Sequence, residues 1–392
     1  MRLFGKSYAV TFDFQNSCFA VGAAAGPTQR CETSGGRMLF GVRLCLLLAL
    51  LIIGPCAVAA NAAASRDFAG VVDIGGDRKM YLTCRGAGFP TVVLVAGQRG
   101  SAEEWSVTEK STAAVFPEVA KFTRVCAYDR PGTPVGDAQS RSDPASQPTT
   151  ARDAVADLHA LLTAAGEVGA AVLVGHSYGG LVVRLHASLY PDEVSGLVLI
   201  DALSEWLREL ETPQQWVVQR RLIEGDVRES LVLYPALERI DVDRSFDQIR
   251  VAPPLRPLPL IVLSADRPWG PQIPSMIAAG KLPADIPPGF GYVTDAAQQQ
   301  AQDQLAKLAP NAKHIASTDS GHEIQKEQPQ LVVDAIREMV EAVHNGNRQQ
   351  RDVAGRKHEH RVVYLKPYAV GRWYSPARGE NGKVRFQRAK RY

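Results

Sequence analysis

Apolar residues along this chain fall into two alternating patterns. Short unbroken runs occupy 90–95, 124–128, 170–174, 196–200 and 260–263, with a weaker one at 313–316. Continuous rather than alternating runs of this length mark strands covered on both faces, as in a parallel sheet. An earlier pair of runs, 71–74 and 79–82, flanks Gly75-Gly76-Asp77 and reads as an antiparallel hairpin. Between the runs the apolar positions take a helical period. Thr150 followed by Asp153 forms a capping-box signal ahead of the stripe Val155, Leu158, Leu161 and Leu162. Leu181, Leu185 and Leu189 repeat every four residues until Pro191. After Pro329, Leu331, Val332, Ala335, Ile336, Met339, Val340 and Val343 make a last apolar face. Strand and helix in alternation predict an α/β fold with a mostly parallel sheet flanked by helices.

One interval breaks the alternation. From 203 to 257 no parallel strand is evident, while 205–210 and 214–223 look helical, with Thr212-Pro213 as a start signal. Its place between two strands suits a helical cap over a pocket. The Pro-rich stretch 268–290 reads as irregular.

The ends differ from this body. Residues 44–53 are apolar, Arg37 and Arg43 precede them, and Gly54, Pro55 and small residues through Ala64 follow. A positive flank, a short apolar run and a small-residue exit describe a signal peptide over 38–62, with cleavage near Ala59 or Ala62. The run is shorter than the roughly 20 apolar residues that span a bilayer, and an uncleaved membrane anchor is the alternative. Residues 1–37 precede Met38, where a start would suit that peptide, and are either an overlong gene reading or a leader. The expected location is secreted or in the cell envelope. The stretch 345–392, with Arg348, Arg351, Arg356, Lys357, Arg361, Arg388, Lys390 and Arg391, reads as a basic flexible tail. The net charge is only +3, so no nucleic-acid partner is expected. No Cys/His cluster has zinc spacing, so no metal is expected either.

The chemistry concentrates in Gly175-His176-Ser177-Tyr178-Gly179. An apolar strand runs into this Gly-x-Ser-x-Gly pattern and a helical stripe leaves it, the context of a sharp turn that lifts a serine hydroxyl above the strand ends. Ser177 is the expected nucleophile, and the Tyr178 backbone N–H an expected oxyanion donor. A serine hydroxyl needs a base at neutral pH. His322, after the last weak strand, is the candidate; His176 adjoins Ser177 but points away in such a turn. The orienting acid is Asp266, after the strand at 260–263, or alternatively Asp201, after the strand at 196–200. The loop after Val95 contains Gly97, which allows close backbone approach, and the N–H of Gln98 is the second expected oxyanion donor. Trp105 fits a pocket wall or the core equally well.

Val95-Ala96-Gly97-Gln98, Tyr128-Asp129-Arg130-Pro131-Gly132, the run from Gly175 to Gly180, and Ser320-Gly321-His322 together resemble the α/β-hydrolase superfamily over about 67–344. The resemblance implies an eight-stranded, mostly parallel sheet, a cap after the sixth strand, and no cofactor. Ala96 departs from the His that many members carry before this Gly. The nucleophile is Ser where epoxide hydrolases and haloalkane dehalogenases of the fold carry Asp. Cleavage of a small-molecule carboxylic ester through an acyl-enzyme is the expected reaction. A peptidase or amidase of the same fold and a non-catalytic ligand binder are the alternatives. The same topology sets the strand of Cys84 beside that of Cys126, so an oxidising compartment would let the two form a disulfide.

Overall fold

The computed structural model describes residues 67–359, apart from 111, 112, 168, 226, 280, 281, 283 and 288. The segments read as leader (1–37) and signal peptide or anchor (38–62) lie outside the described residues, as does 360–392. The elements in chain order are β1 (Phe68–Gly75), β2 (Arg78–Arg85), β3 (Val92–Val95), α1 (Val115–Val119), β4 (Val125–Tyr128), α2 (Ala151–Ala164), β5 (Ala171–His176), α3 (Tyr178–Leu189) and β6 (Val194–Ile200). Then come α4 (Trp206–Leu210), α5 (Pro213–Glu224), α6 (Arg228–Leu233), α7 (Val242–Arg250), β7 (Leu260–Leu263), α8 (Ile273–Ala278), α9 (Phe290–Leu305), β8 (Lys313–Ile315), α10 (Ile324–Glu327) and α11 (Pro329–Glu359).

The eight strands form one sheet in the order β1-β2-β4-β3-β5-β6-β7-β8. β2 pairs antiparallel with β1 and β4, and the remaining pairs are parallel. The β1–β2 connection holds because Gly76 and Asp77 take φ of 62° and 58°, the positive angles that a tight hairpin turn demands. The continuous apolar runs are explained by burial on two sides. Val93, Val95, Leu173, Leu197 and Leu199 face one core with α2 and α3. Val92, Leu94, Val172, Val174, Val198 and Ile200 face another with α1 and α11. α2 starts where its capping box requires: the Thr150 side chain accepts from the Asp153 N–H, and the Asp153 side chain accepts in return from the Thr150 N–H.

β3 lies between β4 and β5, so the chain leaves it in opposite directions at the centre of the sheet. In open α/β sheets such a switch point leaves a crevice at the carboxyl ends of the strands, where ligands bind. The loop after β3 and the turn after β5 both end there.

Cys84 and Cys126 are register partners across β2 and β4, fully buried, and joined in a disulfide. It bridges a sequence separation of 42 residues, and by loop-closure entropy such a bond destabilises the unfolded chain by about 4 kcal/mol. Replacing both cysteines by alanine is expected to lower the unfolding free energy by about 2–5 kcal/mol. Urea denaturation reads this directly, and unchanged midpoints would show that the bond does not constrain the chain.

Three expectations need correction. The interval 203–257 is helical, as expected, but holds four helices, α4 to α7, rather than two; α6 spans only six residues, and Pro235 stands between it and α7. The Pro-rich stretch 268–290 is not wholly irregular, because Pro271 and Pro274 stand near helix starts, where a missing N–H costs nothing, and α8 follows. α11 continues to Glu359, so the first residues of the supposed flexible tail are helical. Gly346 alone does not stop a helix followed by Arg, Gln, Ala and Lys.

Candidate active site

β5 feeds directly into α3 through Ser177, whose φ of 51° and ψ of −123° lie outside the regions L-residues favour. Strain of this kind persists only where the surroundings over-determine it. The Ser177 N–H donates to Ile200 O at 3.1 Å, and its carbonyl accepts from Gly180 N–H and Leu203 N–H, both at 2.9 Å. The turn is too tight for side chains at its flanks: a Cβ on Gly175 would stand 2.5 Å from Gly179 O, and one on Gly179 would stand 2.2 Å from Val95 O. Tyr178 is the first residue of α3, so its N–H belongs to the turn of amides that no helical carbonyl reaches. Across the crevice, a Cβ on Gly97 would lie 3.7 Å from the Ser177 hydroxyl oxygen, so the loop holding Gln98 passes beside that hydroxyl.

His322 follows β8 in the loop before α10. Its Nδ1 is 2.6 Å from Asp201 Oδ2, and its ring centroid is 4.7 Å from that of His176, the neighbour of Ser177. Half of its side chain is exposed, whereas Asp201 is buried. Asp201 directly follows β6, takes a φ of 38°, and extends the ladder through its N–H to Leu263 O. Its second oxygen, Oδ1, accepts from Ala265 N–H and the Gln298 side-chain amide, both at 3.3 Å. Desolvation by itself would raise the Asp201 pKa, but the bond and charge of His322 and these donors outweigh it and hold the carboxyl below the usual range. For His322 desolvation disfavours the cation, and the Asp201 carboxylate overcomes it, so its pKa lies above the ordinary imidazole value.

Asp266, the acid first expected, is not on His322. Its Oδ1 accepts from Ser320 N–H at 3.0 Å and from the Thr318 hydroxyl at 3.3 Å, tying down the loop that leads to His322. The reason is distance along the chain. Asp201 stands immediately at the strand end, whereas Ser264 and Ala265 carry Asp266 past the crevice and out to solvent. Asp201, the alternative, is the carboxylate that meets the imidazole.

His176 is buried, with Nε2 donating to the His322 carbonyl at 3.0 Å and Nδ1 accepting from Gln325 at 3.3 Å. Burial, and then the neighbouring His322 charge, lower its pKa to about 4, so it is a neutral strut beneath the His322 loop. Trp105 is 1% exposed and packs with Val92, Leu94 and Phe116, which settles it as core. Gln298 and Gln325 were invisible in the sequence. Gln298 sits in a run of three glutamines that looks like any solvated helix face. A cavity of about 550 Å³ lies elsewhere, beside β1 and the end of α2. Its charged lining groups, Arg124 and Glu167, are bonded to each other. Among the described residues, the one grouping of metal-ligating side chains is Cys84, Cys126 and Glu167, and its two sulfurs are already joined in the disulfide.

The model of the alpha/beta hydrolase family matches residues 92–335, more than half of the chain and the span that carries Ser177, Asp201, His322 and the loop after β3. The chain belongs to the alpha/beta hydrolase family. The chain is 32% identical over 124 residues to RutD of Cronobacter sakazakii, a proposed carbamate hydrolase. That match covers 31% of this chain and 41% of the relative, so the chain spans about two fifths of that relative's length. Among solved structures it is similar to a thermophilic esterase from Thermogutta terrifontis, with a TM-score of 0.43, 20% identity, and coverage of 71% of this chain and 100% of the other. It is similar also to a bromoperoxidase from Bacillus anthracis, with a TM-score of 0.44, 17% identity, and coverage of 70% and 100%.

Proposed function

We propose that this alpha/beta hydrolase is an exported serine hydrolase that cleaves small carboxylic esters through an acyl-enzyme. The observation that carries the reading is the bond between His322 Nδ1 and Asp201 Oδ2 beside a serine on a strained strand-to-helix turn. An imidazole bonded to a carboxylate through Nδ1 keeps its proton there and leaves Nε2 free to accept one. Ser177 Oγ attacks the ester carbonyl carbon as His322 takes the hydroxyl proton. The Tyr178 and Gln98 amides receive the negative charge on the carbonyl oxygen, each donor being worth about 10²–10³ in rate. His322 then passes the proton to the leaving alkoxide, and the alcohol departs. Water, deprotonated by the same imidazole, attacks the acyl-enzyme and releases the acid and the Ser177 hydroxyl.

Export accords with the pattern at 38–62 and with a buried disulfide, a bond that persists in oxidising compartments. The helices between β6 and β7 serve, in this reading, as the cap that shapes the acyl site. A fluorophosphonate should form an adduct on Ser177, and a short-chain p-nitrophenyl ester should turn over. Labelling with turnover of anilides but not esters would favour the amidase alternative; no adduct at all would favour a ligand binder.

The pH dependence follows from His322. A base works only when neutral, and Asp201 holds the imidazolium form, so kcat/KM should rise with pH through a midpoint above the roughly 6.5 of a free imidazole. The same bond stabilises the fold below the unfolded His pKa and ceases to as pH climbs through the higher folded value. An acidic limb centred below about 6 would contradict the assignment.

A further inference from the structure

The loop after β3 is tied to the helical segment between β6 and β7 by its own side chains. The Gln98 side-chain amide donates to Ile223 O, and Arg99 Nη2 donates to Glu224 O at 2.5 Å. These two acceptors are the last residues of α5, ahead of its cap Gly225 at a φ of 66°. The final carbonyls of a helix have no partner within it, and a cation is favoured there. The loop thus supplies a donor and a charge to a helix terminus on another part of the chain.

The reverse dependence is equally visible. Arg99 holds a φ of 56°, a conformation that a side chain as large as arginine rarely takes without support. Its backbone N–H points at Glu238 Oε2, 3.4 Å away, on the segment between α6 and α7. Glu238 is buried in a two-pronged pair with Arg130, at 2.6 Å on each prong, and accepts from the Thr149 hydroxyl at 3.0 Å. The Arg130 guanidinium lies 4.9 Å from the centre of the Tyr178 ring. Gly132 comes so near the same segment that a Cβ on it would stand 2.0 Å from Ala236 O. Arg99, next to Gln98, and the ring of Tyr178 therefore each meet a group anchored on the α4–α7 segment.

We propose that Gln98 and Arg99 are positioning residues whose side chains lock the oxyanion loop to the end of α5, so that docking of the α4–α7 segment sets the Gln98 N–H for the reaction. The inference rests on the ester-hydrolase reading for its chemistry, though the coupling itself does not. A lid that merely covers substrate contributes to binding alone. A segment that holds an oxyanion donor contributes to the transition state, where a displacement near 1 Å costs about 10²-fold.

The test uses Gln98→Met, which keeps the backbone amide and the side-chain length but removes the donor, together with Arg99→Ala and Arg99→Lys, all in the full chain. Gln98→Met and Arg99→Ala should lower kcat on a short-chain ester by about 10- to 100-fold while KM moves less than about 3-fold. Inhibition by a trifluoromethyl ketone, which forms an oxyanion on Ser177, should weaken by the same factor as kcat/KM. Arg99→Lys, retaining a cation for the Glu224 carbonyl, should recover most of the loss. A rise in KM with kcat intact would overturn the proposal in favour of a simple lid. Hydrogen exchange supplies a readout without catalysis: in Arg99→Ala the amides of 97–101 and of α5 should gain exchange together. Faster exchange confined to α5 would overturn the coupling, whereas absence of turnover and of Ser177 labelling in the unaltered protein would overturn only the ester reading.

Discussion

Ser177→Ala should lose about 10⁵–10⁶-fold in kcat toward a short-chain ester, with KM nearly unchanged. The size of the effect follows from the missing covalent intermediate: His322 and the oxyanion donors remain, but no hydroxyl attacks. The fold should tolerate the change, because the Ser177 side chain makes no capping bond to α3 and alanine bears the same backbone strain that serine already bears. A melting temperature close to that of the unaltered protein, with turnover at background, is the expected pair of results. Retention of more than about 1% of the activity would remove Ser177 from the mechanism.

Asp201→Asn should cost about 10⁴-fold in kcat, and Asp266→Asn less than about 10-fold. The contrast rests on what each carboxylate touches. The asparagine introduced in place of Asp201 would keep one oxygen for Ala265 N–H and Gln298, which now share Asp201 Oδ1. Its amide nitrogen would then face His322 Nδ1, which would have to accept, moving the ring proton to Nε2, where the base must be empty. Asp266 meets only the Thr318–Ser320 loop, and an asparagine oxygen accepts the same two bonds. Steady-state rates for the two variants decide between the acids; a larger loss at Asp266 would reverse the assignment. The pH profile of Asp201→Asn provides a second check, because without the carboxylate the imidazolium loses its support and the acidic limb should move down.

The fold was legible because its strands are buried on both faces. Such strands must be continuously apolar, and each apolar run outside the first hairpin became a parallel strand within two residues at either end. The turn at Ser177 was legible for a different reason: glycine is the only residue that fits against Val95 O and Gly179 O, so sterics write themselves into the sequence. The choice between Asp201 and Asp266 was not legible. Both follow strands, and what separates them is the direction the chain takes two residues later, which depends on Ser264 N–H bonding to Ile315 O and Asp266 N–H to Ser320 O. Gln298, Gln325 and Glu238 were hidden because long-range partners leave no local period. Glu238 pairs with a residue 108 positions away, and nothing near it in the chain distinguishes it from a solvated glutamate.

The disulfide also decides what happens under tension. Phe68, where the described chain begins its first strand, stands opposite Cys84 at the sheet edge. A pull on the N-terminal end therefore loads β1 first and then Arg78–Thr83 of β2 before it reaches Cys84, a stretch of roughly 16 residues that releases slack of about 53 Å. The unravelling stops at Cys84, which is bolted to Cys126 on the interior strand β4. A protein hung from a surface by its N-terminus would behave as though fitted with an extensible leash whose far end is covalent.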